Sequence, residues 1–254
     1  SIEFDNYSLK YKPDGKLILK EMIFTINSGE KIAVMGKTGS GKSTLIYAIT
    51  RIIESFKGRI LIDDIDISSI PIQVLRKNIG VLSQNIYISE GTFLNNLDPL
   101  GKYSEYEIKE VLKKLDYWYS KEEIKNFGLN EHFEENGTNL SITQKSLINV
   151  TKLLLKKDCR IIILDDLCSC IDDEITLESV YKAIYSTFPY STIIILTHEI
   201  KNYMEIDKIM TINNGFIEEF DTYENLSNNK KSLFNSLQNK FFEDENNEKK
   251  EEVD

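Results

Sequence analysis

Short aliphatic runs recur along the chain, and segments with helical or turn character separate them. IAVM at 32–35, IIIL at 161–164 and IIIL at 193–196 are the clearest of these runs. Continuous apolar runs are typical of parallel strands that are buried on both faces. Helix-like segments at 42–53 and 174–187 follow the first two runs. The alternation predicts an α/β fold with a parallel sheet.

Strand-like segments also open the chain. IEFDNYSLKY at 2–11 and the apolar-rich segment that ends before Ser28 lie on either side of the turn signal PDG at 13–15. RILIDDIDI at 59–67 is expected to form one further strand, and a short loop or helix is expected to lead from it to GVLSQ at 80–84. The N-terminal region is therefore predicted to be rich in β-structure.

The middle of the chain has the pattern of an inserted helical segment. Between 104 and 117 the apolar positions have helical spacing behind a Ser104-x-x-Glu107 capping box, and helix-forming residues continue through the 120s. A second capping box, Ser141-x-x-Gln144, opens a long helix that ends just before the next aliphatic run.

Charge and composition limit the classes of protein to which the chain can belong. The 254 residues carry a formal net charge of −10 and give a pI near 4.9, which argues against a surface for nucleic acid or anionic membranes, because both need a basic footprint. No apolar run reaches the roughly 18 residues of a membrane span, and the N-terminus lacks a signal-peptide core, so the chain itself is expected to be soluble. The missing initiator Met suggests a piece of a longer polypeptide, and the acidic tail at 241–254 is expected to be disordered.

The strongest chemical signal is GKTGSGKS at 36–43, a match to G-x-x-x-x-G-K-[S/T] between a predicted strand and a predicted helix. Glycines at these positions let backbone N–H groups surround phosphate oxygens. The lysine can reach the β and γ phosphates, and the serine hydroxyl can bind Mg²⁺. The residues predicted to bind nucleotide here are Gly36, Thr38, Gly39, Ser40, Gly41, Lys42, Ser43 and Thr44, with Ser43 also as a metal ligand.

The stretch IIILDDLCSCID places paired carboxylates directly after a buried-looking strand. A P-loop accounts for the first carboxylate, since P-loop enzymes hold Mg²⁺ with an acid at the end of a second hydrophobic strand. Asp165 is therefore predicted to be a magnesium ligand, acting through water. A metal or thiol site at Cys168 and Cys170 is disfavoured, because the chain has neither a second cysteine pair nor a His at zinc spacing. These two are expected to be small buried residues and, with Cys159, reduced thiols.

A P-loop alone is compatible with kinases, GTPases, RecA-like motors and transport ATPases. LSITQ, about 20 residues before Asp165, resembles the LSGGQ signature of ATP-binding cassette (ABC) proteins, and the order of the other motifs matches that family over about residues 2–240. The resemblance implies ATP and Mg²⁺ as cofactors. It also implies a P-loop NTPase RecA-like core with an N-terminal antiparallel β subdomain, at 1–90 and 158–240, and an inserted α-helical signature subdomain, at 91–157.

The same resemblance implies roles for residues outside the P-loop. Gln84 in GVLSQ resembles the Q-loop glutamine, which contacts Mg²⁺ and the attacking water. His198 in LTHE resembles the switch histidine that contacts the γ-phosphate, and SCID resembles the D-loop, with Asp172 as its acid. Tyr11 resembles the aromatic residue that stacks on adenine, and Tyr7 remains a competing candidate.

The subtype can also be narrowed. YSLKY before the P-loop and SEGTFLNNLDPL after the Q-loop resemble the second nucleotide-binding domain of the C subfamily, which includes the multidrug-resistance-associated proteins. This implies a domain at the cytoplasmic face of a membrane, reaching that membrane only through transmembrane domains. It also implies a head-to-tail dimer with another nucleotide-binding domain, in which Ser141, Thr143 and Gln144 bind the partner's nucleotide. Soluble ABC ATPases of DNA repair or translation are disfavoured by the acidity and by NLDP.

Two positions depart from the family pattern. The family's catalytic residue after the magnesium acid is usually Glu, whereas this chain has Asp166, which is one methylene shorter. In the signature, Ile142 and Thr143 replace one or two glycines. Two hypotheses follow: an ATP-hydrolysing domain of an exporter with Asp166, Gln84 and His198 as catalytic residues, or a module that dimerises on ATP and hydrolyses it slowly or not at all.

Overall fold

The computed structural model describes residues 1–115, 128–171 and 173–240. The strands are β1 (Ile2–Lys10), β2 (Leu17–Ile26), β3 (Lys31–Met35), β4 (Lys57–Ile62), β5 (Ile65–Asp66), β6 (Ile79–Leu82), β7 (Gly91–Thr92), β8 (His132–Phe133), β9 (Ile161–Asp165), β10 (Thr192–Leu196), β11 (Lys208–Asn213) and β12 (Phe216–Thr222). The α-helices are α1 (Lys42–Ile49), α2 (Ile72–Lys77), α3 (Phe93–Leu97), α4 (Glu105–Lys114), α5 (Ile142–Leu155), α6 (Glu174–Thr187) and α7 (Tyr223–Asn228). The predicted tail at 241–254 lies outside the described residues.

Two compact units interleave along the sequence. The first unit contains Ser1–Ile79, Arg160–Asp165 and the chain from Tyr190 onward. The second unit contains Gly80–Cys159 and Asp166–Pro189. The first unit contributes most of the β-structure, and the second unit contributes helices α3 to α6.

An antiparallel sheet with the strand order β2-β1-β4-β5 lies in the first unit. Phe4 of β1 pairs with Phe24 of β2, and their rings stack with centroids 4.4 Å apart. This sheet confirms the predicted antiparallel β region. The prediction of a single strand at 59–67 is wrong, because Asp63 and Asp64 both have positive φ and turn the chain back between β4 and β5. Asp is among the few residues that adopt this conformation readily.

The second sheet of the first unit is mainly parallel. Its strands lie in the order β12-β11-β3-β10-β9, and only the edge strand β12 is antiparallel to its neighbour. Val34, Ile162 and Ile194 in the central strands are at most 1% exposed. The continuous aliphatic runs are therefore strands that are buried on both faces, as predicted.

Helices α4 and α5 of the second unit begin at the two predicted capping boxes. The Ser104 hydroxyl accepts from the Glu107 N–H, and the Glu107 carboxylate accepts from the Ser104 N–H. Ser141 and Gln144 make the same reciprocal pair at the start of α5. Each box satisfies N–H groups that a helix start leaves without an intrahelical acceptor. The predicted helical segment in the 120s falls mainly on residues 116–127, which lie outside the described residues.

The three cysteines differ in their surroundings. Cys159 is buried, and burial raises the pKa of its thiol. Cys168 and Cys170 are half-buried, so the prediction that they are buried residues is wrong. They lie in a short 3-10 helix, Leu167–Cys170, where Leu167 takes the buried position. None of these three cysteines forms a disulfide. Separately, in the described ranges no helix is both long and apolar enough to span a bilayer.

Candidate functional site

The glycine-rich loop lies between the end of β3 at Met35 and the start of α1 at Lys42. Its first residue, Gly36, is in backbone contact with a neighbouring strand. A Cβ atom at Gly36 would lie 2.4 Å from the carbonyl oxygen of Ile212 and 2.6 Å from Ser40 Oγ, so no other residue fits without moving the loop. The loop is thus shaped by close backbone approach, as the motif predicts.

Lys42 is folded back over this loop. Its ammonium group donates to the carbonyl oxygen of Gly36 at 2.6 Å and to that of Lys37 at 3.3 Å, and the residue is only 9% exposed. The positive end of α1 starts at the same residue, and no acidic side chain lies in its first turn. A buried ammonium group and a helix N-terminus together favour a bound anion.

The Ser43 hydroxyl and the Asp165 carboxylate converge beside the loop. Ser43 Oγ lies 3.5 Å from Asp165 Oδ1. Mg²⁺ prefers oxygen ligands at about 2.0–2.1 Å in octahedral geometry, so neighbouring ligands of one ion are about 3 Å apart. The observed separation is close to that spacing, so the two oxygens lie near enough to serve one ion. The residues present therefore suit the implied metal.

His198 lies two positions beyond the end of β10 and is half-buried. The chain there is held alongside β3, because the Thr197 N–H donates to the carbonyl oxygen of Val34 at 3.1 Å. The Thr197 hydroxyl also donates to the Glu199 carbonyl oxygen at 2.7 Å. These bonds place His198 at the same sheet edge as the glycine-rich loop.

The two tyrosine candidates for adenine stacking differ sharply in burial. Tyr7 is 3% exposed, and burial raises the pKa of its phenol. Tyr11 is 50% exposed, and its hydroxyl forms a 2.8 Å hydrogen bond with Thr44 Oγ1 in α1. A ring that is enclosed by the core cannot stack on a ligand, so the structure favours Tyr11.

The signature segment lies in the second unit, at the start of α5. Ser141 Oγ accepts from the Gln144 N–H at 3.0 Å, and Gln144 Oε1 accepts from the Ser141 N–H at 2.9 Å. Thr143 is half-buried, whereas Ile142 is 68% exposed. The signature thus begins at a capped helix N-terminus with an exposed apolar residue beside it.

Asp166 occupies an unusual backbone conformation in the second unit. Its φ of 52° and ψ of 49° are left-handed, and it precedes the 3-10 helix at Leu167. The Ser169 hydroxyl donates to Asp166 Oδ2 at 2.6 Å. One carboxylate oxygen at the candidate catalytic position is therefore engaged by a side chain of the same turn. Gln84 is exposed, two residues after β6.

The structure thus groups the predicted site residues within two units. The P-loop residues, Tyr11, Asp165 and His198 belong to the first unit. Gln84, Asp166 and the signature residues Ser141, Thr143 and Gln144 belong to the second unit. Asp172 lies outside the described residues. The individual roles of all these residues stay predictions.

Sequence reasoning missed two features of the site. The bond between Tyr11 and Thr44 joins residues far apart in sequence. The turn at Asn214–Gly215 contacts the glycine-rich loop through Ser40. NNG at 213–215 is a recognisable hairpin signal, but nothing in a single sequence says which distant segment such a turn meets.

A glycine-rich loop between a parallel strand and a helix, with an acid at the end of another strand of the same sheet, one strand away, defines a P-loop nucleotide-binding protein of the α/β class. The family model described as ABC transporter matches residues 19–169, and the chain belongs to that family. The predicted family and fold class are thereby confirmed.

Similar proteins include members of the C subfamily. The chain is 36% identical over 251 residues to "ABC transporter C family member 6" of Dictyostelium discoideum, covering 98% of this chain and 18% of that protein. It is 36% identical over 233 residues to "ATP-binding cassette sub-family C member 2" of Rattus norvegicus, covering 92% of this chain and 15% of that protein. The chain therefore spans less than a fifth of the length of these relatives.

A solved structure, titled "Structure of a bacterial Atm1-family ABC exporter with ATP bound", has the same fold. Its TM-score is 0.85 at 24% sequence identity, and the match covers 93% of this chain and 41% of that chain.

We expect Tyr11→Ala to weaken ATP binding, because it removes a stacking surface worth roughly 1–3 kcal/mol in comparable base contacts. Tyr11→Phe keeps the ring and loses only the bond to Thr44, so it should bind ATP nearly as tightly as the wild type. Calorimetric titration of the three proteins checks this. Equal affinity of the Ala variant and the wild type would contradict the role of Tyr11.

Proposed function

We propose that the chain is the nucleotide-binding domain of a C-subfamily ABC exporter, most like a second such domain. It binds Mg-ATP at the P-loop and hydrolyses it in a head-to-tail dimer with another nucleotide-binding domain, which drives transport of a substrate across a membrane. The observation that carries the proposal is the convergence of Lys42, Ser43 and Asp165 at one edge of the parallel sheet, with Ser43 Oγ 3.5 Å from Asp165 Oδ1.

The residues of the first unit bind and orient the nucleotide. The loop N–H groups and the N-terminus of α1 hold the β and γ phosphates, and Lys42 exchanges its carbonyl acceptors for phosphate oxygens. Ser43 and Asp165 hold Mg²⁺, which when bound neutralises charge that develops on the phosphates. Tyr11 stacks on adenine, and His198 contacts the γ-phosphate. The half-exposed ring of Tyr11 and the sheet-edge position of His198 support these roles.

The residues of the second unit complete the reaction. Asp166 accepts a proton from the attacking water, and Gln84 contacts that water and the metal. Ser141, Thr143 and Gln144 bind the nucleotide held by the partner domain, and Asp172 lies in the D-loop of the same interface. The capped N-terminus of α5 supports the signature role, because such an end favours an anion.

The proposed partners are a second nucleotide-binding domain and the transmembrane domains of the same transporter. The domain works at the cytoplasmic face of a membrane and contacts the membrane only through those transmembrane domains. The domain division that we propose has 1–90 and 158–240 as catalytic core with the β subdomain, and 91–157 as the α-helical signature subdomain. The full-length C-subfamily relatives support this assembly.

A second candidate function is a module that dimerises on ATP and hydrolyses it slowly. The observation in its favour is Asp166, whose short carboxylate is hydrogen-bonded to the Ser169 hydroxyl at 2.6 Å. A general base must lie within hydrogen-bond reach of the proton that it removes. A side chain that is one methylene short and already engaged is poorly placed to do so.

ATP binding tests both candidates, because both need the P-loop. Lys42→Ala should weaken Mg-ATP binding at least about tenfold in a calorimetric titration, since it removes a charge-assisted contact to phosphate. Lys57→Ala, which removes an exposed lysine at the start of β4, is the matched control and should bind normally. The affinity of the Asp165→Asn variant for ATP should be no higher in the presence of Mg²⁺ than in the presence of a chelator that removes Mg²⁺. If Lys42→Ala bound as tightly as the wild type, the P-loop proposal would be wrong.

Steady-state phosphate release separates fast from slow hydrolysis. If Asp166 occupies the general-base position but is too short, as in the second candidate function, the isolated wild-type domain should release phosphate slowly. The double variant Asp166→Glu/Thr143→Gly should be faster by roughly 10- to 100-fold, the range that a positioning error of about 1 Å can cost. Asp166→Glu alone should raise the rate of phosphate release less. In a homodimer the signature that faces the site is this chain's own LSITQ, which still carries Thr143. The left-handed backbone at 166 also suits Asp better than Glu.

The control for this comparison is Asp166→Asn, which should abolish the remaining turnover because it removes the carboxylate. A wild type that already turns over quickly, with no gain in either Glu variant, would show that Asp166 is an adequate base or that the base lies elsewhere. Binding affinities measured alongside should stay within a fewfold across the series, because Asp166 is assigned to the chemical step.

The two capping boxes allow structure and function to be separated at the signature. Ser104→Ala and Ser141→Ala each remove an N-cap, and each should cost about 1 kcal/mol of stability in urea unfolding. Only Ser141→Ala should also weaken self-association in the presence of Mg-ATP, measured by sedimentation. Equal loss of association in both variants would indicate a general effect of destabilisation and would contradict the signature role of Ser141.

A further inference from the structure

The two-residue turn between β11 and β12 lies against the glycine-rich loop. Its central residues, Asn214 and Gly215, have φ angles of 49° and 85°, the signs expected for a type I′ hairpin turn. The Gly215 N–H donates to the carbonyl oxygen of Ser40 at 3.0 Å, and the Gly215 carbonyl oxygen accepts from the Lys20 N–H at 2.8 Å. One residue therefore ties the phosphate-binding loop to β2.

The bond to Ser40 has a consequence for the next N–H in the loop. The carbonyl of Ser40 and the N–H of Gly41 belong to one planar trans peptide, so the two groups point in opposite directions. Because Gly215 holds the Ser40 carbonyl on its own side, the Gly41 N–H points away from the turn. Gly41 is the N-cap residue of α1, where an N–H group is available to a bound phosphate.

The space around the turn admits only glycine. A Cβ atom at Gly215 would lie 2.1 Å from the carbonyl oxygen of Ile18 in β2. The same carbonyl oxygen would lie 3.4 Å from a Cβ atom at Gly41. The turn, β2 and the loop thus meet backbone to backbone, and a side chain at Gly215 would force the turn away from β2 or from Ser40.

We propose that Gly215 is a positioning residue of the nucleotide site, which acts by holding the Ser40 carbonyl and so directing the Gly41 N–H to a bound phosphate. The inference rests on the proposed function in one respect, namely that this loop binds the phosphates of ATP. Gly215 itself contacts no nucleotide. Its effect is on the phosphate end of the ligand, whereas Tyr11 contacts the base.

The variant that tests this is Gly215→Ala. Gly101→Ala is the matched control, because Gly101 also has a positive φ of 60° but has no atom within 4 Å of its would-be Cβ. We expect Gly215→Ala to raise the Kd for Mg-ATP at least about tenfold, since a displaced phosphate loop loses aligned donors. Its affinity for adenosine should stay within about twofold of the wild type, and Gly101→Ala should change neither value. Calorimetry measures the affinity for ATP, and ligand-observed NMR measures the affinity for adenosine.

The possible outcomes distinguish a failure of the proposed function from a failure of the inference about Gly215. A wild type that does not bind ATP would refute the proposed function, whereas a Gly215→Ala protein that binds ATP as tightly as the wild type would refute only this inference. If Gly215→Ala lost affinity for ATP and for adenosine equally, the role of Gly215 would be merely structural, and this inference would also be overturned. If the Gly215→Ala protein does not fold, hydrogen exchange of the wild type tests the inference instead. The Gly215 amide should exchange slowly, and more slowly when ATP is bound. An unprotected Gly215 amide would overturn the inference.

Discussion

The parallel pairing of β3, β9 and β10 is the constraint on which the site depends. Strands that run in the same direction end at the same edge of a sheet, so the segments that follow them meet there. Leu196 of β10 pairs with Val34 of β3 and with Asp165 of β9. Because the interiors of these strands are almost fully buried on both faces, a slip of one residue would draw a flanking polar residue such as Asp165 into the buried span. Hydrophobic burial therefore also sets the positions of the polar groups at the edge.

Much of this arrangement could be predicted because its causes are local in sequence. Continuous aliphatic runs indicated the parallel strands, two capping boxes indicated where α4 and α5 begin, and the glycine spacing indicated the loop at 36–41. The hairpin at Asp63 and Asp64 could not be predicted with the same rules. Aliphatic residues flank the two acids, so the segment has the apolar content of one long strand, and only the positive φ angles show the turn.

Among the site residues, too, some features could be predicted from the sequence and others could not. Residue types were enough to predict a phosphate and metal site at Lys42, Ser43 and Asp165, since few other groups perform that chemistry. Burial was needed to distinguish Tyr11 from Tyr7, because two tyrosines in the same segment have equal propensities and only tertiary packing separates them. The backbone conformation of Asp166 could not be predicted either, because it depends on the turn that joins β9 to the following 3-10 helix.

The cap at the start of α5 has a consequence for what Ser141 can recognise. A hydroxyl group has one proton to donate and oxygen lone pairs with which to accept. The Ser141 oxygen already accepts from the Gln144 N–H, which uses one of its lone pairs and leaves the hydroxyl proton to be donated. A hydroxyl that donates to an oxyanion forms a charge-assisted hydrogen bond, which is stronger than the bond it would form with a neutral acceptor. The capping box thus gives the signature a preference for negative charge before any partner approaches.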